Sequence, residues 1–180
     1  MDLKDMKIAI LVANGFEQSE MVEPKKALEK AGAITSIVSP ENDKVKGWSK
    51  DNWADTFAVD IKLDEANANN YAALVLPGGV MNPDKLRMNK TAVLFIKHFV
   101  DHQKPIAAIC HGPWTLIDAN AVKDHRMTSW ASIKTDLINA GAKWVDEEVV
   151  HDGTLVTSRK PDDIPAFNKK MIEVFSHAKK

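Results

Sequence analysis

Cysteine is nearly absent from this 180-residue chain: Cys110 is the sole one. No intrachain disulfide can form, which suits a reducing compartment. An excess of either charge is missing as well. Lys plus Arg number 24 against 25 Asp plus Glu, a formal net charge of -1, so the concentrated positive charge that phosphate backbones require is lacking and nucleic acid is not an expected partner. Long apolar runs are absent: Ile8 to Ala13 falls far below the ~20 residues of a membrane span, and Asp2 and Asp5 spoil a signal-peptide reading. No membrane partner and a cytoplasmic location are therefore expected. Internal repeats, low-complexity tracts and the glycine-rich phosphate-binding signature are also missing. What is there is ordinary for a globular chain, 44% hydrophobic and 27% charged residues. One domain, 1–180, is long enough to bury roughly 70% of the surface its unfolded form exposes.

The apolar residues come in short continuous runs, as in strands covered on both faces. Lys7 to Ala13 is the first, closed by the turn signal Asn14-Gly15; Ile34 to Ser39, Ala72 to Leu76 and Pro105 to Ile109 follow. Helical patterns lie between them. Pro24 reads as a first-turn residue, which predicts a helix from Glu23 to Ala31 stopped by Gly32. Asn89 to His102 places Ala92, Phe95, Ile96, Phe99 and Val100 on one helical face. Trp114 to Ala119, Ser132 to Ala140 and Asp162 to His177 read as further helices. Lys44 to Asp60 reads as a hairpin or irregular excursion, and His151-Asp152-Gly153 as the turn of a tight hairpin. Strands alternating with helices predict an α/β fold with a mostly parallel sheet covered on both faces.

In such a sheet the ligand site lies beyond the carboxyl ends of the strands. The segments there are Gly15-Phe16-Glu17, Pro77-Gly78-Gly79 and Cys110-His111-Gly112. Ala108-Ile109-Cys110-His111-Gly112-Pro113 passes from buried strand to helix within a couple of residues, the setting of a nucleophile elbow, and Gly112 permits the sharp turn. Lowering a free thiol from a pKa of about 8.5 to about 6 takes roughly 3.4 kcal/mol. A helix N-terminus typically supplies ~0.3–1 kcal/mol. His111 and a protonated Glu17 donating to sulfur are the candidates for the remainder, so Glu17 is expected to have a raised pKa.

Four segments together resemble the PfpI-type intracellular proteases of the ThiJ/PfpI group, within the class I glutamine-amidotransferase-like superfamily. They are Asn14-Gly15-Phe16-Glu17-Gln18-Ser19-Glu20, Leu74 to Gly79, Ala108 to Pro113 and Val156 to Asp163. The resemblance implies a flavodoxin-like three-layer sandwich, Cys110 as nucleophile with His111 as its partner, and Glu17 as the buried carboxyl beside sulfur. It implies an oxyanion hole from the backbone N–H groups of Gly79 and His111. It also implies a homo-oligomer in which an acid from a neighbouring subunit orients the histidine. Asp84, in Asn82-Pro83-Asp84-Lys85, matches that position, in a loop one residue longer than the family pattern and with a shorter side chain than the usual glutamate. Trp114 stands where many members have glutamine. No cofactor or metal is implied.

The activity expected is hydrolysis at an electrophilic carbonyl of a peptide or small substrate. The alternatives are glyoxalase or deglycase chemistry on methylglyoxal and its adducts, and a non-catalytic redox sensor or chaperone-like stress protein in which Cys110 is oxidised. Other residues read more plainly. His98 and His102, four apart, form half of a zinc set at best. Trp130 and Trp144 read as packing residues, Ser158 and Arg159 as a site border or a cap for the last helix, and Lys179-Lys180 as a solvated tail.

Overall fold

The computed structural model describes residues 2–178, so Lys179-Lys180 lie outside it. The chain opens with β1 (Lys7–Leu11), β2 (Phe16–Glu17), α1 (Gln18–Lys30) and β3 (Ile34–Ser39). The excursion predicted over 44–60 is an antiparallel pair, β4 (Lys44–Ser49) and β5 (Asn52–Ala58), which β2 extends to a small three-stranded sheet. Next come β6 (Ile61–Lys62), β7 (Ala73–Leu76), α2 (Met81–Met88), α3 (Lys90–Asp101), β8 (Ile106–Ile109) and α4 (Trp114–Asp118). The last part holds β9 (Arg126–Met127), α5 (Lys134–Asn139), β10 (Lys143–Trp144), the hairpin β11 (Val149–Asp152) and β12 (Leu155–Ser158), and α6 (Ile164–His177).

Seven strands form the main sheet in the order β11-β12-β8-β7-β1-β3-β6. All of its neighbours pair in parallel except β11 with β12, as predicted for a mostly parallel sheet. Its two faces follow from the period-two alternation of a strand. Ala9 and Leu11 of β1 join Phe95, Ile96 and Phe99 of α3 and Leu116 of α4 in one core. Ile8 and Ile10 join Met21 and Leu28 of α1 and Phe167, Met171 and Phe175 of α6 in the other. Each fully buried large side chain contributes about 1.5–3 kcal/mol, so both helical layers are held by burial.

Two helices depart from expectation, and both bear on the site. α1 begins at Gln18, not Glu23, and carries Pro24 in its interior. That proline removes only the hydrogen bond its N–H would have sent to the Glu20 carbonyl, while Glu20, Met21, Pro24 and Leu28 form one buried face. The second departure is α2, in the stretch expected to be a loop. Asn82 fixes it: its Oδ1 accepts from Ala13 N–H at 2.7 Å and its Nδ2 donates to the carbonyls of Pro77 and Gly78 at 2.9 and 3.1 Å. This one buried amide ties the ends of β1 and β7 together.

Candidate active site

Cys110 follows β8 with φ of +63°, a left-handed conformation that an L-residue adopts only when its surroundings enforce it. Its N–H donates to Ser158 O at 3.0 Å, and its carbonyl accepts from Trp130 N–H at 2.8 Å. Gly112 makes the turn possible by close approach: a Cβ there would lie 2.3 Å from Leu76 O and 2.8 Å from Ile109 O. Gly78 is constrained from the other side. A Cβ on it would meet Glu20 Oε2 at 2.5 Å and Cys110 Cβ at 2.7 Å.

The carboxyl beside sulfur is Glu20's, not Glu17's. α1 turns Glu20 inward to full burial, where Gly78 N–H donates to Oε2 at 2.9 Å and the carboxyl is within hydrogen-bonding reach of the Cys110 thiol. No nitrogen or oxygen atom of the described residues pairs with Oε1. Burial pushes the Glu20 pKa up to about 8, against a smaller opposing pull from the Gly78 N–H and with a smaller push from the charge of Glu17. The raised carboxyl expected at Glu17 is thus three residues further along. Glu17 itself is half-buried at the cavity wall, with Ser19 Oγ donating to its Oε1 at 3.2 Å. The physical reason is the helix start: once α1 begins at Gln18, Glu20 shares a face with Met21 and Leu28.

His111 Nδ1 lies 3.3 Å from Cys110 Sγ, and its Nε2 lies 3.2 Å from Ser132 Oγ. Burial lowers the pKa of the imidazole, which favours its neutral form. Burial also pushes the Cys110 thiol up, and a charged Glu20 adds to that push. The backbone N–H groups of His111 and Gly79 reach the sulfur and pull the other way. The resting pair is therefore thiol and neutral imidazole, in place of the thiolate expected from His111, a protonated Glu17 and the helix N-terminus together. α4 is only five residues long and does not supply that field.

A cavity of about 520 Å³ opens over the sulfur, lined by Glu17, Glu20, Trp48, Lys50, Val80, Met81 and Trp130 among others. Trp130 is a wall residue, 41% exposed, with its ring stacked on His111 at 6.2 Å between centroids. The packing role expected for it is thus incomplete. Trp114 points away to Asp136, to which its Nε1–H donates at 3.0 Å, with the Arg87 guanidinium over its ring. Asp84 sits exposed in the first turn of α2. Arg159 is bound to Asp163 and Asp146, which makes it the brace of the last helix. His98 and His102 stack at 4.0 Å with the Lys104 ammonium 3.4 Å from His98 Nε2, a cation where a metal would have to sit. No helix among the described residues is long and apolar enough to cross a membrane.

Residues 6–174 match the model of the DJ-1/PfpI family. General stress protein 18 of Bacillus subtilis is 45% identical over 92% of this chain and 95% of its own. Deglycase PfpI of Pyrococcus furiosus is 40% identical over 94% of this chain and 99% of its own. YraA of Bacillus subtilis, whose name provisionally calls it a cysteine protease, is 40% identical over 93% of this chain and 97% of its own. Among solved structures, a two-domain Anabaena variabilis protein with DJ-1/ThiJ/PfpI-like and ferritin-like domains superposes with a TM-score of 0.88 at 35% identity. That match covers 94% of this chain and 48% of the other. With the resemblance read from four segments matched by a model spanning nearly the whole sequence, this chain belongs to the DJ-1/PfpI family.

Proposed function

We propose that this chain is a cytoplasmic, single-domain, cysteine-dependent enzyme that acts on a carbonyl carbon, with an adduct of a small dicarbonyl on an amino group as its substrate. One observation carries the reading: Cys110 Sγ, on a strained backbone, sits within reach of a neutral imidazole, a carboxyl raised to about 8 and two backbone N–H groups, beneath the cavity. In the first step the thiol proton passes to His111 Nδ1 while Sγ adds to the carbonyl carbon. The oxygen becomes an oxyanion and is held by the N–H groups of Gly79 and His111. The adduct, a carbinolamine, has by then broken its C–N bond, releasing the amine and re-forming the aldehyde carbonyl that Sγ takes. His111 returns its proton to the oxyanion to give a hemithioacetal. The carbon-bound proton moves to the neighbouring carbonyl carbon to give a thioester, and water hydrolyses it to the hydroxy acid and the free thiol. Glu20, protonated, keeps a second negative charge away from the sulfur. Asp84, facing solvent from α2, is the carboxylate for the histidine of a second copy in a homo-oligomer, beside the exposed apolar Val80 and Met88.

The size of the cavity favours the small adduct, since about 520 Å³ is the volume of a small-molecule pocket and an extended peptide needs several adjoining subsites. Peptide hydrolysis by the same residues is the second reading, supported by the likeness to YraA. The test is steady-state turnover of a methylglyoxal-modified amino acid and of a fluorogenic peptide by wild type, Cys110→Ser and Asp84→Asn. The expected result is turnover of the adduct that Cys110→Ser abolishes and Asp84→Asn lowers with the fold intact. Cys110-dependent cleavage of the peptide alone would establish the peptidase. No Cys110-dependent turnover of either, with ready oxidation by peroxide, would leave the redox sensor.

A further inference from the structure

Ser132 lies 21 positions beyond His111 and belongs to none of the family-like segments, yet its hydroxyl is the protein group that meets His111 Nε2, at 3.2 Å. We propose that Ser132 is the positioning residue for His111: its Oγ accepts the hydrogen of Nε2, which fixes the ring in the tautomer whose bare Nδ1 faces Cys110 Sγ. The inference rests on the reading that Cys110 attacks through His111.

The direction of this hydrogen bond follows from the proton to be moved. Burial holds the thiol in its protonated form and the imidazole in its neutral form, so the nitrogen beside sulfur must be the one without hydrogen. The hydrogen of the neutral ring then sits on Nε2, where Oγ is the available acceptor. After the thiol proton reaches Nδ1, both ring nitrogens carry hydrogen and Oγ still accepts from Nε2. One arrangement serves before and after transfer, and nothing has to turn.

The geometry around Ser132 is fixed from both sides. Trp130 N–H donates to Cys110 O at 2.8 Å, which ties this segment to the nucleophile, and the Trp130 ring stacks on the imidazole at an interplanar angle of 27°. Ile133 is buried in the core, and beyond it Asp136 of α5 accepts from Trp114 Nε1 at 3.0 Å. Charged or titratable groups near the ring are Cys110, Glu20 and, across the cavity, Glu17 and Lys50. The serine O–H remains able to donate onward, so a carboxylate such as Asp84 from a second copy would extend the chain of hydrogen bonds instead of competing for Nε2.

Two measurements that need no substrate test this: the ¹⁵N shifts of the His111 ring, and the pH dependence of Cys110 alkylation by iodoacetamide. In wild type the Nε2–H tautomer is expected. Ser132→Ala should redistribute the tautomers and move the alkylation midpoint up by about one pH unit, about tenfold slower at neutral pH, the worth of one lost hydrogen bond. Ser132→Thr, which keeps the hydroxyl, should restore both. An unchanged tautomer and midpoint in Ser132→Ala, or a threonine variant no better than alanine, would overturn the assignment. Loss of Cys110-dependent turnover with the tautomer effect intact would sink only the proposed function.

Discussion

Two acids are buried at the carboxyl end of the main sheet, and the protein treats them in opposite ways. Asp163, 3% exposed after β12, receives the Arg159 side chain at two positions, Nε to Oδ2 at 2.9 Å and Nη2 to Oδ1 at 3.1 Å, as well as the Arg159 N–H at 3.2 Å. Glu20, wholly buried at the start of α1, receives one backbone N–H and no cation. A buried carboxylate is stable only where fixed donors replace its water. Asp163 has those donors and braces the last helix. Glu20 lacks them, so the cheaper course is to keep its proton, and it keeps it beside the one thiol in the chain.

The comparison makes the sign of two substitutions opposite. Because the folded-state pKa of Glu20 is raised, the folded chain holds a proton that the unfolded chain has lost between its ordinary value of 4.5 and about 8. The stability this group contributes is fully present below 4.5 and is lost as pH rises through 8, a change on the order of 5 kcal/mol. Glu20→Gln removes that dependence. Urea unfolding at pH 5 and pH 8 should show wild type losing stability between the two and the variant nearly level, with the variant the more stable at pH 8. A wild-type curve that does not move with pH would break the contrast.

Asp163→Asn should do the reverse and destabilise. Breaking a buried pair costs ~3–5 kcal/mol, but Arg159 is 27% exposed and keeps Asp146, so about 2 kcal/mol is the expectation after allowing for solvent. The same urea series at one pH measures it. A neutral or stabilising result would mean that Arg159 contributes no more to Asp163 than solvent does to an exposed acid.

Much of this was legible in the residues. The buried runs at Ile8, Ala73 and Ile106 gave the parallel sheet because continuous apolar strands need two covered faces, and the elbow at Cys110 was readable because Gly112 and Pro113 allow one sharp turn. Glu20 was missed for a local reason. Pro24 looks like a helix start, and taking it as one leaves Glu20 in a loop; only packing against β3 and α6 shows that the helix runs through the proline. Asn82 and Ser132 carried no local signal at all. Ala13, which Asn82 joins to the end of β7, lies 69 residues from it, and His111 lies 21 residues from Ser132; long-range hydrogen bonds of single polar side chains leave no periodicity to read.

The smallest expected effect separates the two glutamates themselves. Glu17 and Glu20 are three residues apart, both line the cavity, and the charge of Glu17 helps to raise the pKa of Glu20. Glu17→Gln removes that repulsion, so the titration of Glu20, followed by the ¹³C shift of its carboxyl, should move down in pH while burial still holds it above the ordinary carboxylate range. Turnover should stay within about twofold of wild type, the ~0.5 kcal/mol typical of a substitution that leaves the core and the reacting atoms alone. Should Glu17→Gln cost as much activity as Glu20→Gln, the sulfur would be answering to both carboxyls, and the distinction between a buried proton donor and its half-buried neighbour would fail.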